Sequence, residues 1–166
     1  MKNDAFSDFA VNTAEHSRLL KTAQYIQHGN TSCLLHSIAV AYFCYRLSVK
    51  FNFLKLHRRE LVRGALLHDY FLYDWHIPDK SRPLHGRYHP KAAYRNAAED
   101  FALTPIEKDI IKKHMFPLTL TPPACRESVL VCIVDKVCSV YETFKKNAYK
   151  SSPIYTVFNK IRSSKK

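Results

Sequence analysis

Apolar residues recur along this chain at three- and four-residue spacing and nowhere alternate cleanly with polar ones between hairpin dipeptides, so the pattern predicts helices and no sheet. A first helix is expected over residues 7–28, carrying Phe9, Leu19, Leu20, Ala23 and Ile26, with Gly29 following where a left-handed cap would sit. A second begins after Thr31 or Ser32 and runs to about Val49. A third starts near His57 and carries Leu61, Val62, Ala65, Leu66 and Leu67 up to His68-Asp69. Pro78, Pro83 and Gly86 make residues 74–89 an ordered loop. Pro90 then fits the first turn of a helix reaching Phe101, since proline has no N–H to lose there. Thr104-Pro105-Ile106-Glu107 spells a capping box that opens a short helix ending near His114. Beyond Pro117, Pro122 and Pro123 a long helix covers residues 126–145, and a last amphipathic one covers residues 154–161.

The expected fold is therefore all-α, a single compact bundle of about six to seven helices. A chain of 166 residues, 46% of them hydrophobic, can bury roughly two-thirds of its unfolded surface without a disulfide staple. Three glycines cannot build a phosphate-cradling loop, which excludes the Rossmann and P-loop classes. Met1-Lys2-Asn3-Asp4 does not read as a signal peptide, and residues 22–45, though free of Asp, Glu, Lys and Arg, are too polar to span a membrane. A cytoplasmic protein with five reduced cysteines is expected. Of the net charge of +12, seven positive residues follow Glu142. Residues 1–150 are thus read as the helical domain and 151–166 as a basic, solvated segment, able to attract RNA weakly and in a salt-dependent manner.

The chemistry announces itself as an anomaly of polarity. The run Val129-Leu130-Val131-Cys132-Ile133-Val134-Asp135-Lys136-Val137-Cys138-Ser139-Val140 is apolar almost all round, as a central buried helix would be, yet Asp135 sits in its middle. His68-Asp69 interrupts a second apolar run, and His36 a third. A buried carboxylate costs several kcal/mol unless it is paired, hydrogen-bonded or bound to a metal. Each case alone has a structural explanation. Together, two imidazoles and two carboxylates make a donor set suited to a divalent Mn, Fe or Co ion, with coordination positions left for water and substrate.

The order His36, His68-Asp69, Asp135 resembles the HD-domain superfamily of metal-dependent phosphohydrolases, which are all-α. Gly86-Arg87-Tyr88-His89-Pro90-Lys91-Ala92-Ala93 is similar to the H-P segment of its HDIG and HD-GYP branches, and Ile110-Ile111-Lys112-Lys113-His114 to the I-x-x-H segment further on. The resemblance spans residues 31–144. It implies catalytic roles for Asp69 and His68, a first ion on His36, His68, Asp69 and Asp135, and a second on His89 and His114 with Asp69 as bridge. One or two metals per chain are implied, with a small phosphorylated substrate, expected to be a nucleotide. Two departures stand out: Met115 follows His114 where the two-metal branches often carry a second histidine, and no lysine follows His68-Asp69 to contact phosphate. Arg87, Lys91, Lys112 and Lys136, next in sequence to expected ligands or near them, are candidate phosphate contacts, and His85 a candidate substitute ligand or substrate contact. His16, His28 and His57 are expected at the surface. The competing readings are a one-metal nucleotidase whose His89 and His114 touch substrate, and a non-catalytic nucleotide sensor or RNA-binding helical module.

Overall fold

Helix α2 (Cys33–Lys50) forms the axis of the molecule because its sequence leaves it nowhere else to go: its only charged residues are Arg46 and Lys50. Ser32 caps it, its hydroxyl accepting the Leu35 N–H, and residues on all sides of the helix from Cys33 to Tyr42 are buried. The computed structural model describes residues 3–79 and 84–164, with side chains from residue 5 onward. Around α2 lie α1 (Asn3–Glu15), α3 (Arg58–Leu67), α6 (Arg126–Phe144) and α7 (Pro153–Ser163), while α4 (His85–Asp100) and α5 (Pro105–Lys113) extend the bundle from the far side of α3. Leu34, Ile38, Leu61, Leu66, Ile110, Ile111 and Ile154 meet in one continuous core. The all-α expectation holds. None of the described helices is long and apolar enough to cross a membrane.

Four local expectations are corrected. The first helix stops at Glu15, and the chain continues as a 3₁₀ turn at Leu19–Gln24 and a short antiparallel hairpin, β1 (Ile26–His28) with β2 (Thr31–Ser32). The break follows from side chains that bond back to the helix: Thr13 Oγ1 donates to the Phe9 carbonyl and Ser17 Oγ to that of Thr13, offering the backbone an alternative to further turns. Arg18 then anchors the exit, its backbone N–H and its guanidinium both binding Asp100 at the end of α4. Gly29 does adopt a left-handed conformation, at φ +57°, but in the hairpin turn, where a Cβ would run into the carbonyl of Glu142.

The loop expected over residues 74–89 is already helical from His85, so Pro90 lies inside α4; it forgoes one backbone bond there, to Gly86. Pro83 lies outside the described residues. Finally, α6 is not the helix buried on every side. That place belongs to α2, and the outward face of α6 exposes Ile133, Val137 and Val140.

The capping box at Thr104 and Glu107 is complete, and Glu107 does double duty: buried in full, it also takes Arg63 of α3 in a two-pronged pair at 2.6 and 2.9 Å. Gly64 lets the two helices approach, since a Cβ there would lie 2.6 Å from Ile110 Cδ1. This locks α5, and with it the histidine at its end, onto α3.

Candidate metal centre

Helix ends converge on one buried point. His36 lies one turn into α2, His68 caps the C-terminus of α3 with Asp69 immediately after, His114 caps α5, His89 lies in the second turn of α4, and Asp135 sits midway along α6. All six are buried. The two oxygens of Asp69 divide the site between them. Oδ2 faces His36 Nε2 at 3.7 Å and His68 Nε2 at 3.5 Å, while Oδ1 faces His89 Nε2 at 3.1 Å and His114 Nε2 at 3.5 Å. Asp135 Oδ1 closes the first half, 3.1 Å from His36 Nε2 and 3.6 Å from His68 Nε2. Two sets of potential metal-ligand atoms, from His36, His68 and Asp69 and from Asp69, His89 and His114, are each contained within 4.8 Å.

The donor chemistry is set one layer out. His68 Nδ1 donates to the Ala65 carbonyl at 2.7 Å, His89 Nδ1 to that of His85 at 3.0 Å, and His114 Nδ1 to that of Ile111 at 3.0 Å. His36 Nδ1 donates to Glu142 Oε2 at 2.9 Å. Carbonyls and carboxylates only accept, so every Nδ1 carries its hydrogen, and in the neutral rings all four Nε2 atoms turn lone pairs inward. Nε2 of His89 and of His114 lie 2.8 Å apart, and His68 Nε2 and Asp69 Oδ1 have no hydrogen-bond partner. Lone pairs facing one another at that distance repel unless a proton or a cation lies among them. These residues therefore fit a divalent cation, with the outer hydrogen bonds that orient metal-bound imidazoles already in place.

Electrostatics point the same way. Burial disfavours charge on Asp69, but the fields of His68 and His89 and the close approach of the His114 and His89 rings outweigh it and hold the carboxyl well below its ordinary range. Asp135 is held down in the same manner by His36 and His68. Against burial, Glu142 and Asp135 raise His36 well above the usual imidazole value.

His85 joins the edge of this cluster, stacked on His89 at 4.6 Å and on Trp75 at 4.9 Å, with its Nδ1 3.1 Å from the Tyr73 hydroxyl. Burial and the neighbouring His89 push it down to about 4. Arg87, Lys91 and Lys112 are exposed and are not brought into the buried cluster; Lys112 Nζ sits over the Tyr94 ring. Lys136 Nζ donates to the carbonyls of His114, at 2.9 Å, and Cys132, at 3.2 Å, so it braces the end of α5. Met115 packs beside Gly86.

Four contributors escaped sequence reasoning. Gln27 Nε2 donates to Asp69 Oδ2 at 2.5 Å from the hairpin, Glu142 holds His36, and the Tyr149 hydroxyl donates to Glu142 Oε1 at 3.0 Å. His28, expected at the surface, is half-buried with its ring 5.3 Å from that of His36, and burial with the nearby His36 lowers its pKa. The hairpin that the helical pattern missed carries both Gln27 and His28 to the site. The only available clue to Glu142 was its spacing of seven residues from Asp135, two helical turns along one face.

A scan against protein-family models matches the HD domain over residues 34–139, a stretch that contains His36, His68, Asp69, His89, His114 and Asp135. The chain belongs to the HD domain family. Searches of curated proteins and of solved structures found no match. HD domains are generally hydrolases and bind divalent metals, and the His and Asp groups described above can hold such an ion. The HD match stops short of the outer supports at both ends: Gln27 and His28 precede it, and Glu142 and Tyr149 follow it.

Proposed function

We propose that this HD domain hydrolyses a phosphate ester or anhydride, with a nucleotide as substrate, and that it does so with two divalent ions of the Mn, Fe or Co class. The observation that carries the reading is the division of Asp69: one carboxylate turns one oxygen to His36 and His68 and the other to His89 and His114. His36, His68, Asp69 and Asp135 would hold the first ion, and Asp69, His89 and His114 the second, an arrangement that supports a place near the HDIG and HD-GYP branches.

When bound, such ions lower the pKa of a coordinated water from ~15.7 toward ~7 and polarise phosphoryl oxygens. The protein's own residues do the rest. Gln27 and the surrounding imidazoles keep Asp69 ionised and fixed in orientation, so its carboxylate can accept a hydrogen bond from the attacking water. Burial keeps His28 neutral near physiological pH, leaving it one ring N–H to offer a phosphoryl or leaving oxygen. His85 is neutral as well, and with Tyr73 and Trp75 it walls a cleft of about 260 Å³ at the edge of the cluster. Flat aromatic rings beside a phosphate-handling centre suit a substrate that carries a base.

Elemental analysis of purified protein, together with phosphate release from a panel of nucleotides and simple phosphate esters, tests the reading. Bound divalent metal and turnover are expected, both lost in Asp69→Ala. Undiminished hydrolysis by metal-free wild-type protein overturns it.

A further inference from the structure

The two oxygens of Asp69 are not equivalent. Among the described residues Oδ1 has no hydrogen-bond partner, while Oδ2 accepts Nε2 of Gln27 at 2.5 Å. The imidazole nitrogens that face the carboxylate carry lone pairs in the neutral rings, so the hydrogen that fixes its plane comes from Gln27. An ionised carboxylate oxygen offers two lone pairs, and Gln27 takes one of those on Oδ2. What remains is one direction on Oδ2, toward His36 and His68, and an unengaged Oδ1 toward His89 and His114.

Gln27 is itself held at both ends. Its backbone is fixed by its neighbours: the Tyr25 carbonyl accepts the N–H of Cys33 at 2.9 Å, and the Ile26 carbonyl accepts Nε1 of Trp75 at 3.1 Å. Neither bond sets the direction of the side-chain amide. That falls to the thiol of Cys33, the first residue of α2, which is fully buried against Phe71 and Ala92 with Sγ 3.4 Å from Gln27 Oε1. Burial, and after it the field of Asp69, pushes the thiol up, so its hydrogen stays on sulfur and can be donated. Asp69 selects the amino end of the amide, because a carboxylate only accepts. The thiol, donating to the carbonyl end, fixes where that amino end points.

We propose that Cys33 is a positioning residue of the metal centre: through Gln27 it holds Asp69 to one oxygen per ion. The role rests on the two-ion reading above. Freed from Gln27, Asp69 could turn both oxygens to the half that already has His36, His68 and Asp135, so the half with His89 and His114 is the one that loses its carboxylate. Cys33 and Gln27 both precede residue 34, where the HD match begins.

Two measurements on the full chain test this role. In chelated protein, the side-chain amide of Gln27, identified in a nitrogen–proton spectrum by its loss in Gln27→Leu, should exchange slowly with water. Cys33→Ala should speed that exchange by about 2–5-fold, the size of one weak neutral hydrogen bond, and Cys33→Ser, which restores a donor, should slow it again. Packing alone gives the opposite order, since a buried hydroxyl without a partner is worse than a methyl group. When Mn²⁺ is titrated against a chromogenic chelator, the second ion should bind ~10–100-fold more weakly in Gln27→Leu, as for loss of an outer partner, with the first ion held as in wild type. Cys33→Ala should weaken the second ion by about 2–5-fold. An amide that Cys33→Ala leaves unchanged, serine no better than alanine, or a loss that falls on the first ion overturns the role. Wild-type protein that takes up fewer than two ions overturns the two-ion reading instead, and the amide exchange then decides by itself whether Cys33 positions Gln27 against Asp69.

Discussion

Glu142 Oε2 lies 2.9 Å from Nδ1 of His36, and the other oxygen of the same carboxylate accepts the Tyr149 hydroxyl at 3.0 Å. Among the four inward-facing histidines, this is the one whose outer partner is a carboxylate; the others lean on backbone carbonyls. A charged acceptor strengthens the hydrogen bond and makes the imidazole a better electron donor at Nε2. Glu142→Gln preserves shape and removes the charge, so it should lower metal affinity by ~10–100-fold, the usual effect of losing such an outer partner. Tyr149→Phe should have the same sign and a smaller size. Competition with a chromogenic chelator measures both, and wild-type affinity in Glu142→Gln would show that the carboxylate only fills space.

The second histidine pair sets the metal count. His89 and His114 face Asp69 Oδ1 alone, while His36 and His68 face Oδ2, so the two halves are separable by mutation. Replacing both His89 and His114 with Ala should halve the metal stoichiometry and leave one ion on the other half. Elemental analysis of the folded variant reads this directly. A full metal complement in the double variant would mean that His89 and His114 contact substrate instead.

Helices α2 and α5 were readable in detail from sequence, because each pairs a strong start, Ser32 or Thr104, with an unbroken apolar pattern. His36, His68, Asp69 and Asp135 were readable for a different reason: polar groups inside apolar runs are costly enough to mark themselves. Gln27 and His28 were not, since β1 is too short to show alternation and its one apolar residue, Ile26, fits the helical spacing as well. Lys136 misled by adjacency, because on a helix its side chain turns about 100° away from Asp135 and reaches the end of α5. The outward apolar face of α6 made that helix look central, when its burial is one-sided.

The basic C-terminal segment is structural as well as charged. Ile154, Val157, Phe158 and Ile161 of α7 are buried, and Lys160 Nζ donates to Ser7 Oγ of α1 at 3.2 Å. Burying an apolar side chain of this size contributes ~1.5–3 kcal/mol. Four of them outweigh most of the ~5–15 kcal/mol by which a domain is stable. A chain ended after Lys150 should therefore lose its cooperative thermal transition, while Lys160→Ala with Arg162→Ala, both on the exposed side, should melt close to wild type. Differential scanning calorimetry separates the two outcomes.

Metal and protons compete for the same lone pairs, and the competition has a definite sign. In chelated protein His36 and His68 are raised above 6.5 because their carboxylate partners outweigh burial. The stability they contribute is complete below 6.5 and is lost as pH rises through their folded values. Asp69 and Asp135 are depressed below 3.8, so theirs is present above 3.8 and lost as pH falls through the depressed values. His114, lowered chiefly by burial, works against the protein on the acid side, because below 6.5 the unfolded chain takes up a proton that the folded site resists. Chelated protein should thus melt highest near 6.5 and less stably in either direction. Metal-loaded protein should escape the alkaline loss, since the cation supplies the charge that the protons of His36 and His68 supplied, and its affinity increases as those protons leave. The gap in Tm between loaded and chelated protein should accordingly widen from 6.5 into the alkaline range. A gap that narrows there would mean that the imidazoles of the first half are not where the metal binds.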